Sequence, residues 1–136
     1  MTDHRTGGCA CGEIRYEARG EPVAQLHCQC AQCRKRTGTG HGSYLAFMGG
    51  VTVTGTPKTF REIADSGREK VQNFCGTCGS PVFVTAPAMP DLKAIHAASL
   101  DDPVAFAPAF VTFASTALPW DRMDEGLTQF AGMPPG

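Results

Sequence analysis

Cys9-Ala10-Cys11 near the start of the chain and Cys75-Gly76-Thr77-Cys78 some sixty residues later are the two short stretches that decide the fold. Cys-x-Cys on a strand sends both side chains to one face, because side chains alternate with period two. Cys-x-x-Cys around Gly76 makes a tight turn whose thiolates converge on one ion. Together Cys9, Cys11, Cys75 and Cys78 supply the four sulfurs that a tetrahedral Zn²⁺ needs. Such a site clips the first strand to a distant one and contributes folding energy directly.

The remaining cysteines stand alone in Cys28-Gln29-Cys30-Ala31-Gln32-Cys33. Seven thiolates make one closed tetrahedral site and one three-ligand site with a vacancy. Three thiolates around zinc leave a net charge of about −1, a weak Lewis acid that suits an incoming soft thiol better than water. A metal in that position also lowers the pKa of the thiol it binds. The competing reading completes the site with a histidine and makes it structural. Strand alternation turns His27, adjacent to Cys28, away from the ion; His41, beyond a glycine-rich loop, is within reach.

Composition narrows the field. At 136 residues the chain fits one domain, residues 1–136 with a core of about 5–131, and a chain of this size buries roughly 68% of its unfolded surface. The formal net charge of −1 argues against a nucleic-acid partner or an anionic membrane. Met1-Thr2-Asp3-His4-Arg5-Thr6 has no apolar run of the kind a leader carries, and no stretch approaches the roughly 18 apolar residues of a membrane span. An odd number of cysteines in close spacings disfavours a secreted disulfide framework and favours metal binding in the cytoplasm.

Abundant glycine and proline cut the chain into short, β-rich segments. Strands are expected at 13–17, 43–47, 51–54, 58–63, 71–74, 81–85, 93–98 and 109–113, with one helical turn over 31–37, which is an all-β fold. Trp120, the only tryptophan, is expected in the core, and the tail 133–136 is expected to be loose. Arg34-Lys35-Arg36, directly after the three-cysteine cluster, reads either as a solvated turn or as cations that draw substrate carboxylates to the metal. Gly38, Gly40 and Gly42 would let backbone approach that site closely. A zinc-deaminase reading fails because Phe74 stands where proline is required, and a redox Cys-x-x-Cys lacks its βαβ setting.

Three longer stretches carry a resemblance: Gly8-Cys9-Ala10-Cys11-Gly12-x-Ile14-Arg15-Tyr16, Cys28-x-Cys30-x-x-Cys33-Arg34-Lys35-x-Thr37-Gly38 and Phe74-Cys75-x-x-Cys78-Gly79-Ser80-Pro81. With Leu100-Asp101-Asp102-Pro103 and the ending from Trp120 to Phe130, the chain resembles the glutathione-dependent formaldehyde-activating enzyme family, whose domain is shared with centromere protein V. The resemblance implies an Mss4-like zinc-binding fold of short antiparallel strands. It also implies a structural zinc on Cys9, Cys11, Cys75 and Cys78 and a second, catalytic zinc on Cys28, Cys30 and Cys33. The family activity it brings is that of a carbon–sulfur lyase, condensing glutathione with formaldehyde to S-hydroxymethylglutathione.

The reading that joins these observations is a two-zinc, cytoplasmic carbon–sulfur lyase or synthase acting on a thiol, with glutathione expected, and a small aldehyde. Cys28, Cys30 and Cys33 hold the catalytic zinc, His41 carries the proton, with His27 second, and Arg34 and Lys35 orient glutathione carboxylates. Neither nucleic acid nor a membrane is an expected partner, and a homodimer is left open. The alternative is a non-catalytic zinc-binding interaction module.

Overall fold

The computed structural model describes residues 3–135; Met1, Thr2 and Gly136, which the leader, tail and domain-boundary readings touch, lie outside them. Eleven strands dominate those residues: β1 His4–Gly8, β2 Arg15–Arg19, β3 Ala24–Cys28, β4 Gly42–Met48, β5 Val51–Thr54, β6 Lys58–Ile63, β7 Glu69–Phe74, β8 Pro81–Ala86, β9 Met89–His96, β10 Phe110–Thr112 and β11 Thr128–Gln129. One α-helix, α1 (Ala31–Thr37), and three single 3-10 turns interrupt them. The all-β expectation holds, and β5, β6 and α1 fall at the bounds the sequence pattern marked.

The strands form two sheets, a three-stranded one in the order β1-β2-β5 and an eight-stranded one in the order β11-β10-β3-β4-β9-β8-β7-β6. Pairing is antiparallel except at one edge, where β10 runs parallel to both β3 and β11. That edge carries the C-terminal stretch back alongside the three-cysteine segment.

β4 shows how one strand serves two faces. Its odd residues Leu45 and Phe47 pack with Ile95 of β9 and with Ile14, Tyr16 and Ala18 from the small sheet's side, making the main core. Leu45, Ile95 and Ile14 are fully buried. Each such side chain stabilises the fold by roughly 1.5–3 kcal/mol relative to exposure. The even residue Tyr44 faces the other way, into a smaller cluster with Cys28, Cys33, Leu26, Val84, Ala94 and Phe113 beneath α1. The three-cysteine segment is thus part of the second core.

Two sequence expectations give way. Cys9-Ala10-Cys11 is not on a strand: β1 ends at Gly8, and the cysteines sit in a turn closed by Cys9 N–H to Ile14 O (3.0 Å) and Gly12 N–H to Cys9 O (3.2 Å). Gly12 adopts φ +84°, a conformation glycine tolerates at no steric cost. Trp120 is 69% exposed rather than core, because the stretch from Ala117 to Thr128 runs over the surface.

Candidate functional site

The turn after β1 and the turn between β7 and β8 bring Cys9, Cys11, Cys75 and Cys78 together, with all four sulfurs within 4.8 Å of one another. Cys9 Sγ lies 3.6 Å from Cys11 Sγ, which lies 3.7 Å from Cys75 Sγ. Sulfurs at ~2.3 Å from a tetrahedral ion stand about 3.8 Å apart, whereas a disulfide would hold them at about 2.05 Å. The cluster therefore has the dimensions of a zinc cage, and all seven cysteines are free thiols.

Backbone amides complete it. Ile14 N–H donates to Cys9 Sγ (3.2 Å), while Thr77 and Cys78 N–H donate to Cys75 Sγ (3.3 and 3.4 Å). These donors favour thiolate over thiol. Ser80 ties the two halves: its carbonyl accepts from Cys75 N–H, and its hydroxyl accepts from Ala10 N–H (3.1 Å) and sits 3.2 Å from Cys78 Sγ. The Ser80 hydroxyl, followed by its amide, brings the Cys78 thiol down to about 5.

Cys28, Cys30 and Cys33 form a second group, again within 4.8 Å, and no further His, Cys, Asp or Glu joins it among the described residues. Cys28 closes β3, and Cys30 caps α1, its sulfur accepting from Cys33 N–H at 3.4 Å. Cys28 and Cys33 are buried and Cys30 is half-buried. Tyr44 donates its hydroxyl proton to Cys33 Sγ at 3.1 Å, a contact no local sequence motif announces. Three thiols packed this closely cannot all ionise without a cation. Hydrogen bonds from Cys28 and then Cys33 push Cys30 down to about 2, while Cys28, Cys30 and burial drive Cys33 far up. A divalent ion would relieve that split, so both groups fit metal and are consistent with zinc.

His41 does not complete the second group. It immediately precedes Gly42, the residue registered with Cys28 across β3 and β4, and its Nδ1 lies 2.8 and 3.1 Å from the two carboxylate oxygens of Asp121. The rings of His27 and His41 meet edge to face at 4.8 Å, and His27 Nδ1 is 2.7 Å from Ser43 Oγ. Burial, followed by the neighbouring His41, lowers the His27 pKa. Gln29, between the first two cysteines of the trio and almost wholly buried, donates from Nε2 to Asp121 O (3.0 Å) and Oδ2 (3.1 Å). Asp121 was missed from the sequence; it lies 92 residues from Gln29, and its one pointer was the neighbouring lone tryptophan.

A cavity of about 470 Å³ opens beside this network, lined by His41, Ser43, His96, Thr37, Thr39 and Ser99 together with residues of the first cysteine turn. That volume suits a small-molecule ligand. None of Cys28, Cys30 and Cys33 lines it; His41 is the side chain common to the cavity and the network at the trio. No charged Lys, Arg, Asp or Glu side chain lines it either. Arg34 donates to Thr116 O at 2.7 Å, and Lys35 is exposed on α1. Arg36 lies 3.6 Å from Glu62 and 5.1 Å from the Phe60 ring centre.

A β-sheet scaffold that holds one group of four thiols and one of three, with a cavity lined by His41 and by residues of the four-cysteine turns, marks out the class of protein. The chain belongs to the glutathione-dependent formaldehyde-activating enzyme family, whose model matches residues 4–116. A Halomonas elongata protein provisionally named a glutathione-dependent formaldehyde-activating enzyme is 29% identical over 103 residues. That alignment covers 70% of this chain but only 64% of the relative's length. A crystal structure of a Rhodobacter sphaeroides protein superposes with TM-score 0.56 at 20% identity, over 79% of this chain and 99% of that one, a likeness of fold. Among the described residues, no helix is long and apolar enough to cross a membrane.

Proposed function

We propose that the chain is a zinc-dependent carbon–sulfur lyase/synthase that adds a thiol, with glutathione as the first candidate, to a small aldehyde such as formaldehyde, and that also runs the reverse reaction. The observation that carries this reading is the unequal division of sulfur: four thiols in one group, three in the other, and, among the described residues, no fourth protein ligand beside the three. Family membership supports the substrates, and the absence of a fourth ligand supports turnover over a purely structural role.

Cys28, Cys30 and Cys33 would hold the second zinc, which when bound supplies a positive centre that favours the thiolate form of an incoming thiol. The rest falls to the protein's own groups. His41 faces the cavity with Nδ1 occupied by Asp121, so Nε2 is the nitrogen free to accept the thiol proton. As the thiolate sulfur bonds to the aldehyde carbon, the carbonyl π pair moves to oxygen, and the proton held on Nε2 is delivered there. The product is a hydroxymethyl thioether-type adduct, RS–CH(OH)R′, and atoms and charge balance with no further reagent. Most of the rate gain comes from positioning the two reactants. Lys35 and the free N–H groups of Arg34 serve as outlying partners for the substrate's carboxylates.

Zinc stoichiometry combined with adduct formation tests this. Two zincs per chain are expected, one of them readily chelated and displaced in competition with glutathione, with adduct formed from glutathione and formaldehyde faster than in buffer. A single inert zinc and no acceleration would replace the enzyme by the interaction module.

A further inference from the structure

Asp121 lies beyond residue 116, where the family model's match ends, yet its carboxylate reaches both His41 and Gln29. Its carboxylate is mostly buried, with 11% of the side chain exposed, and its side-chain partners among the described residues are His41 and Gln29. An ionised carboxylate only accepts hydrogen bonds. Whichever charge the imidazole carries, Nδ1 must therefore bear the proton that faces Asp121.

Gln29 gives the same answer from the other side. Its amide nitrogen meets both the backbone carbonyl and the carboxylate of Asp121, two acceptors. The opposite amide orientation would aim oxygen at both, so the network dictates which end points there. Its Oε1 is left buried without a partner, a cost the Asp121 contacts must offset. The loop is shaped for the arrangement as well: a Cβ on buried Gly40, one residue before His41, would overlap the Asp121 carboxyl group.

We propose that Asp121 and Gln29 are positioning residues for proton transfer. Asp121 locks His41 as the Nδ1–H tautomer with Nε2 toward the cavity, and Gln29 couples Asp121 to the three-cysteine segment. The catalytic part of this proposal rests on the function proposed above; the tautomer part does not. The ending from Trp120 to Phe130, past the residues the family model matches, thus supplies a part of the site.

The test uses zinc-loaded full-length protein. Long-range ¹H–¹⁵N correlation at the histidine rings, with the His41 signals identified by their loss in His41→Gln, should show Nδ1–H in the unaltered protein. In Asp121→Asn, whose side chain can donate as well as accept, the Nε2–H form should appear. The kcat for adduct formation should fall by about 100-fold with KM within about twofold, and Asp121→Glu should recover part of the loss. An Nε2–H tautomer at His41 in the unaltered protein overturns the proposal whether or not the variants fold. So does an Asn variant that keeps two zincs and an unchanged tautomer. If the unaltered protein shows the Nδ1–H form but no thiol–aldehyde activity, the proposed reaction fails while the positioning of His41 stands.

Discussion

The two cysteine groups offer the same ligand chemistry in opposite settings. The quartet draws its sulfurs from turns more than sixty residues apart and is wired by backbone amides and by Ser80, which touches both halves. The trio comes from six consecutive residues at the end of β3 and the start of α1. It closes no long loop. Around it stand side chains with protons to give or hold, namely Tyr44 on Cys33, and Gln29, Asp121 and His41 alongside. Ligands drawn from distant segments make a metal a structural clasp, whereas ligands drawn from one segment leave the fold largely independent of it.

The sharpest way to break this contrast is to remove one sulfur from each group. Cys78→Ser should cost the most, because binding energy of a structural zinc is folding energy and can equal a domain's whole stability, about 5–15 kcal/mol. We expect loss of the cooperative thermal transition followed by circular dichroism. A melting temperature within a few degrees of the unaltered protein would show that the quartet is no clasp.

Cys30→Ser comes next. Cys30 is half-buried and at the first turn of a seven-residue helix, where serine can take over the cap. The protein should remain folded, lose one zinc of two by metal analysis, and lose adduct formation. If it unfolds like Cys78→Ser, the division of labour between the groups is wrong.

That contrast was largely legible in the sequence, and its limits are instructive. Cysteine spacing is a local signal tied to a fixed coordination number, so both groups could be assembled without coordinates. Alternating strands such as Val51–Thr54 and Lys58–Ile63 were equally local. β1 was not, since His4-Arg5-Thr6-Gly7-Gly8 has no apolar alternation; it is held by pairing with β2, and Gly7 is needed because a Cβ there would meet the Tyr16 ring. Asp121 escaped for a related reason. Its importance comes entirely from where β10 and β11 return the chain, and no spacing rule connects it to Gln29 or His41. Trp120 misled because hydrophobicity predicts a preference, and the surface course of its segment overrode it.

The smallest effect concerns the support beneath the trio and separates packing from metal binding. His96 is almost fully buried against the Tyr44 ring, and Nε2 has no hydrogen-bond partner. Burial, followed by the charge of Arg36, holds its pKa down at about 4 against 6.5 when exposed. Between those values the unfolded chain binds the proton that the native protein refuses, so stability rises with pH. The contribution is complete above about pH 6.5 and is lost as pH falls through the interval toward 4, roughly 3 kcal/mol in all and about 2 kcal/mol by pH 5. Urea unfolding at pH 8 and pH 5 with excess zinc measures it, and His96→Leu supplies the control. Acid weakens both thiolate groups in the two proteins alike, so the difference between their pH slopes isolates the histidine. A His96→Leu protein that loses as much stability on acidification as the unaltered one would place the whole acid sensitivity in the cysteine groups and none in the packing beneath them.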